Sequence, residues 1–255
     1  MSRRDNLEAR CAVCRLNATL CICALVPRPR TRTRLVLLVH YREARKPSNT
    51  GQLAARCLER SSVEIFGKRG QVLGAPVVGD DEVPLLLFPD DDAAPISRYA
   101  ASEQPIALFV PDGNWRQASK VRRRVPGFGA IPCVTLPEAG PTEYRLRAEP
   151  REGGLATLEA IARALGILEG DAGPEIERAM LAVFRVMVER TLWFRGKLHD
   201  HEVTGGIPEA ALVNDPRGAV TKQSLHSAAG PQASDDGDDA DADEPDDTEG
   251  RARRS

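Results

Sequence analysis

Short apolar runs recur along this chain with room for a helix between them, and that alternation limits the folds open to it. Arg34-Leu-Val-Leu-Leu-Val39 is an apolar run bounded by charge, which reads as a buried strand. Ile106-Ala-Leu-Phe-Val110 reads the same way, and Val63-Glu-Ile-Phe66, Leu85-Leu-Leu-Phe88 and Ile131-Pro-Cys-Val-Thr-Leu136 add three further strands. Helical periods fall between and after them. Asn49 can cap a helix through about Arg60, with Leu53, Ala54, Cys57 and Leu58 on one face, and Asn114 a second through about Arg124. Residues 155–168 place Leu155, Leu158, Ile161, Ala162, Leu165 and Leu168 at helical spacing. Pro174 opens a longer helix to about Phe194, with Ile176, Met180, Val183, Phe184, Met187 and Leu192 inward. Pro84, Pro89, Pro95 and Asp90-Asp91-Asp92 mark loops. Strands alternating with helices predict an α/β fold with a mostly parallel sheet covered by helices on both faces.

The 255 residues suit one α/β domain with appendages, and a hydrophobic fraction of 42% can bury a core. The expected division is a Cys-rich module over 1–30, a catalytic domain over 31–204, a C-terminal extension over 205–230 and a disordered acidic tail over 231–255. Residues 235–249 carry ten acidic side chains and no basic one, a composition that cannot form a core. Without residues 235–255 the chain has 27 acidic and 32 basic side chains, so its body is mildly basic and compatible with a phosphate-bearing partner. No stretch approaches the ~20 apolar residues of a membrane helix, and the start lacks an apolar secretory segment, so a cytoplasmic location is expected.

Cys11-x2-Cys14-x6-Cys21-x-Cys23 puts four thiols where two close pairs can reach one tetrahedral centre. Zinc fits best, with an iron–sulfur cluster using the same ligands. Four thiolates leave no open position, so the expected role is structural. Cys57 and Cys133 lie on apolar faces and read as buried small hydrophobes.

Three segments concentrate chemistry. The first, His40 to Gly51, follows the first strand, where open α/β sheets place ligands, and contains Lys46 and Asn49. Asn49 as a helix cap and His40 as a packed histidine are the plain alternatives. The second is Pro111-Asp112-Gly113-Asn114-Trp115-Arg116: Asp112 can take a proton, and Trp115 can stack on a base or pack below the site. The third runs from Thr142-Glu-Tyr-Arg145-Leu-Arg147 to Gly153-Gly-Leu155-Ala-Thr157-Leu-Glu159, where glycines before a helix let a ligand approach the backbone and Thr157 or Glu159 can offer hydrogen bonds. Glu159 also fits a plain helix N-terminus, where the dipole favours it.

Taken in order, C-x2-C-x6-C-x-C, H-x2-E-x2-K-P-x-N-T, D-G-x-W, Y-R-L-R and T-L-E-A over roughly residues 8–200 resemble the DTW-domain family of tRNA-uridine aminocarboxypropyltransferases. Asn114 stands where the commoner signature has Thr, and Ala156 where the family usually has Ser. The resemblance implies a SPOUT-like domain, with a C-terminal trefoil knot as one form of it. It also implies S-adenosylmethionine held by loops near Val110 and Pro111, near Leu136 and Pro137, and before Leu158, through Leu155, Ala156, Thr157 and Glu159. The implied reaction moves a 3-amino-3-carboxypropyl group to N3 of a tRNA uridine, with Asp112 as base, Trp115 beside it, and Arg145 or Arg147 on the donor carboxylate.

For tRNA, His40, Lys46, Asn49, Arg116, Lys120, Arg122 and Arg123 are the candidate contacts. Arg28, Arg30, Arg32 and Arg34 form a second basic run, and the Arg190–Lys197 region with Trp193 and Phe194 is a third candidate, against helix packing. No membrane or protein partner is indicated, and a monomer is favoured. The rival readings are a SPOUT-type RNA methyltransferase, a non-enzymatic zinc RNA-binding protein, and aminocarboxypropyl transfer to rRNA.

Overall fold

The computed structural model describes residues 9–217 except 69, 71–72, 139 and 147–153. Arg147, Gly153 and the acidic segment 231–255 lie outside the described residues. Six strands form one sheet: β1 (Arg34–His40), β2 (Ser61–Phe66), β3 (Val83–Leu87), β4 (Ala94–Pro95), β5 (Ile106–Asp112) and β6 (Cys133–Thr135). Their order is β2-β1-β5-β3-β6-β4 and every neighbouring pair is parallel. Four α-helices accompany them: α1 (Thr50–Arg56), α2 (Trp115–Arg124), α3 (Thr157–Leu168) and α4 (Gly173–Phe194).

The apolar runs are buried on both faces because successive side chains point to opposite sides of a strand. Leu35, Leu37 and Val39 of β1 join Ile106, Leu108 and Val110 of β5 in one core with α1, α3 and α4. Val36, Leu38, Ala107 and Phe109 face the other way, onto Ala118 and Val121 of α2, Phe128 and Ile131. Leu16, Leu20 and Ile22 of the Cys-rich segment belong to the first core, as does Ala211 near the C-terminal end of the described chain. Fully burying a single Leu of this kind contributes about 1.5–3 kcal/mol.

Several elements differ from their predicted bounds for physical reasons. Helix α1 stops at Arg56, not Arg60, because Ser61 must pair opposite Leu35, and the Ser61 hydroxyl donates to the carbonyls of Ala55 and Leu58 at the turn. Strand β5 continues two residues past Val110, because Pro111 and Asp112 stay in register with Leu38 and Val39 of β1. Strand β6 is shorter than the apolar run, with Ile131 held in the preceding turn by its N–H to Phe128 O. The two-residue β4 carries Pro95 at the sheet edge, a position where a missing N–H costs nothing. Residues 200–202 and 209–214 form short 3-10 turns in the region that lacks sequence pattern.

At the edge where the strands begin, Glu82 collects Arg34 (Nε at 3.0 Å), Arg60 (3.2 Å) and the Gly79 N–H (3.0 Å). The Arg34 guanidinium holds the Glu82 carboxyl down at about 2, which outweighs the upward push of burial. A carboxylate lowered in the folded state stabilises above its unfolded value and loses that contribution as pH falls through its folded one. Glu82→Gln should therefore cost about 1–2 kcal/mol at neutral pH, at the low end for charged hydrogen bonds because both arginines are partly solvated. Denaturant melts should show the gap from wild type closing between about pH 4.5 and pH 2; a gap that ignores pH would mean that the carboxylate charge is not the agent.

Candidate active site

Strand β5 ends on Asp112, whose side chain follows the alternation of Leu108 and Val110 and so points to the face of α1 and α3. The carboxyl group is 6% exposed. Asn49 Nδ2 donates to Oδ2 at 2.6 Å, and Thr157 Oγ1 donates to Oδ1 at 2.6 Å. Asn49 is also the N-cap of α1, its Oδ1 accepting from Gln52 N–H at 2.8 Å, and Thr157 is the first residue of α3. Side chains from the starts of two helices thus meet at one carboxyl group. Gly51 allows the approach: a Cβ there would sit 2.9 Å from Asp112 Oδ2.

The third segment closes over this point. Glu159 is 1% exposed and accepts from Thr142 Oγ1, Glu143 N–H (2.7 Å) and Ala156 N–H (2.8 Å). Its carboxylate is therefore committed to shaping the loop and the start of α3, where Ala156, lacking an acceptor, cannot cap for itself. Tyr144 donates its hydroxyl to Ser48 O at 3.2 Å and stacks on Phe184 of α4, tying this loop to the one before α1. Arg145 is exposed, with Nη2 3.7 Å from Glu189 Oε1. Arg185 makes a two-pronged pair with Glu143 at 2.8 and 2.7 Å. A cavity of about 440 Å³ opens here, lined by Thr142, Glu143, Arg145, Arg185, Val188 and Glu189.

The remaining candidates separate. Val110 is buried in the core, so its side chain faces no ligand, while Pro111, Leu136 and Leu155 are half-buried and Pro137 is exposed at strand and loop ends. Trp115 is 45% exposed and stacks on Phe88 at 4.7 Å. Phe88 belongs to the core of the opposite sheet face, so Asp112 and Trp115, three residues apart, do not share a face. His40 is half-buried, edge-on to Phe66 and close against Gly67, and burial keeps its imidazole below the ordinary value. Lys46 pairs with Glu43 at 2.8 Å. Arg122 is gripped by Asp90 and Asp92, each at 2.6 Å. Arg116, Lys120 and Arg123 lie exposed on α2.

Arg32 and Arg34 sit where β1 begins, at the opposite edge from His40 and Asp112, and both are engaged: Arg32 with Ser102 O and Glu103 O, Arg34 with Glu82. Trp193 is fully buried, its indole N–H donating to Asp200 Oδ1 at 2.7 Å, and Arg190 is 7% exposed. Arg190 and Trp193 are thus taken up by packing, while Arg195 and Lys197 at the end of α4 are exposed.

The four N-terminal thiols come together. Cys11 Sγ lies 3.7 Å from Cys23 Sγ and 3.5 Å from Cys21 Sγ, and Cys14 Sγ lies 3.8 Å from Cys21 Sγ. A tetrahedral zinc–thiolate centre with bonds of ~2.3 Å has sulfur–sulfur edges of ~3.8 Å, so the donor set and spacing fit that ion. The backbone N–H groups of Cys14 and Val13 aim at Cys11 Sγ and bring its thiol down to about 6.

The fold and this edge define a class first: an open parallel α/β domain whose polar groups gather at the C-terminal ends of its strands. Within that class the chain belongs to the DTW-domain family, whose model matches residues 8–192. It is 28% identical over 183 residues to tRNA-uridine aminocarboxypropyltransferase 2 of Drosophila melanogaster, covering 69% of this chain and 72% of that one. It is 29% identical over 217 residues to tRNA-uridine aminocarboxypropyltransferase A of Arabidopsis thaliana, covering 70% and 79%. The mouse tRNA-uridine aminocarboxypropyltransferase 2 is 30% identical over 168 residues, covering 62% and 56%. No solved structure matches significantly. Among the described residues no helix is long and apolar enough to cross a membrane.

Thr157→Val removes the hydroxyl donor to Asp112 Oδ1 while keeping volume. It should lower stability by about 1–3 kcal/mol, the usual penalty for leaving a buried acceptor unmatched. Thr157→Ser, which keeps the hydroxyl, should recover most of that loss in thermal melts. Equal losses for both would mean that the hydroxyl contact with Asp112 is unimportant.

Proposed function

We propose that this chain is a tRNA-uridine aminocarboxypropyltransferase acting on N3 of a uridine with S-adenosylmethionine as donor. One observation carries the reading: three segments far apart in sequence, around Asn49, Asp112 and Thr157, meet at a single buried carboxylate where the central strand ends. The names of the relatives support the same reaction and the same class of substrate. The cavity beside Thr142–Arg145 suits the donor's amino-acid end, because Arg145 and Arg185 match its carboxylate and Glu143 and Glu189 its ammonium group.

When bound, S-adenosylmethionine supplies an electrophilic carbon beside its sulfonium, and methylthioadenosine leaves with the electron pair of the broken carbon–sulfur bond. Asp112 removes the N3 proton of uridine, freeing the nitrogen pair that forms the new bond. Asn49 and Thr157 hold the carboxylate in one orientation, so the base does not have to be positioned at the moment of reaction. Trp115, exposed on its Phe88 platform, offers a face on which a base of the RNA stacks. Arg116, Lys120 and Arg123 carry the phosphate contacts along α2, with His40 and Lys46 at its flank. The four thiols hold a structural zinc ion.

Mass spectrometry of unmodified tRNA incubated with the protein and S-adenosylmethionine should find an added aminocarboxypropyl group on uridine and methylthioadenosine in solution. Asp112→Asn should reduce the rate by at least about 100-fold, the usual contribution of a positioned base. A methyl gain with S-adenosylhomocysteine would sink the proposed reaction in favour of methyl transfer, and modification of ribosomal RNA alone would move the substrate.

A further inference from the structure

Helix α4 runs past the cysteine cluster with an arginine on its buried side. Arg190 lies three residues beyond Met187 and seven beyond Val183, on a stripe that is otherwise apolar. Burying a guanidinium is costly unless charge and hydrogen bonds compensate it. Its Nη1 donates to Cys21 O at 2.9 Å and to Leu20 O at 3.4 Å, both on the loop that carries the thiols. Those carbonyls are dipoles and cannot balance a full charge. Its Nε has no hydrogen-bond partner among the described residues. A buried, incompletely matched cation on the backbone of the loop that carries the four thiols is explained if those thiols are thiolates on a divalent ion. Such a centre carries a net charge of about −2, which the protein must offset.

We infer that Arg190 is the charge-compensating partner of the tetrathiolate metal centre, locking the N-terminal cysteine loop onto α4 when the metal is bound. The inference rests on the proposed metal occupancy of the four cysteines. It makes metal binding and the docking of α4 one thermodynamic event. With the ion in place, the guanidinium and the anionic centre stabilise each other. Without it, Arg190 is left as a buried charge with only the carbonyl dipoles of Leu20 and Cys21 beside it.

The test uses the full chain loaded with Zn²⁺ and compares wild type with Arg190→Met, Arg190→Gln and Arg190→Lys. Glutamine keeps a donor for the carbonyls without the charge, and lysine keeps the charge without the fork. Zinc release is followed with a chromophoric chelator, and melting temperature is measured with and without zinc. Outer-shell partners of metal ligands typically contribute 10–100-fold in affinity, so the methionine and glutamine variants should release zinc that much more readily. Lysine should retain most of the affinity. The rise in melting temperature on adding zinc should shrink in the two neutral variants, a difference that general loss of stability does not produce. Equal zinc retention and an equal zinc-dependent shift in wild type, glutamine and lysine variants would overturn the inference and leave Arg190 as a packing clamp. Wild-type protein that binds no zinc, with Cys14→Ser indistinguishable from it, would instead overturn the metal centre itself.

Discussion

The Asp112 carboxylate is the constraint around which the functional edge is organised. A buried polar group must find partners within the protein, and here they come from side chains at the starts of two helices. That requirement fixes where α1 and α3 begin relative to β5. It sets the identity of residue 51, since only a residue without Cβ lets α1 come so near the carboxyl oxygen. It also places the loop over 142–145, because Glu159, one turn into α3, gathers that loop's hydroxyl and N–H groups. Pre-positioning of the proposed base and closure of the fold are the same set of hydrogen bonds.

The two edges of the sheet treat charge differently. Where the strands begin, Glu82 and its arginines form a closed set. Where they end, exposed Arg116, Lys120 and Arg123 line α2, and its last turn carries three consecutive arginines, where the helix dipole favours cations. Of those, Arg122 already has two aspartates, so basic residues adjacent in sequence are not equivalent in space. The same holds for the run at 28–34, whose last two members face the wrong edge for a site at the strand ends.

Much of the architecture was legible from periodicity. The apolar runs became the parallel strands, and the inward faces of α1, α3 and α4 are those that helical spacing selects. Lengths were less legible, because the end of α1 and the extension of β5 are set by register with β1, a long-range fact with no local signal. The three segments at the strand ends were recognisable as polar runs beside buried elements, but their partners were not. Asp112 and Trp115 look like neighbours in a line of text, yet a turn after a strand sends them to opposite faces. Glu159 was read as a ligand contact or a dipole residue, and it serves the protein's own backbone. Arg190 carries a signal of its own in the sequence: a charge on an apolar stripe needs a partner.

The cysteine loop is held by residues far along the chain. Arg190 grips its carbonyls, and Asn214 donates to Thr19 Oγ1 at 3.3 Å. During synthesis the thiols emerge first and their clasp about 170 residues later, which at ribosomal speeds of about 5–20 residues per second is an interval of roughly 10–30 seconds. For that time the loop has its ligands but not its seat. A metal captured early would sit in a tethered, solvent-washed loop, exchangeable with other thiols and chelators, and would be sealed only when α4 docks. The cysteine loop is thus made well before the helix that secures it, and any metal loading would be open to competition until α4 is in place.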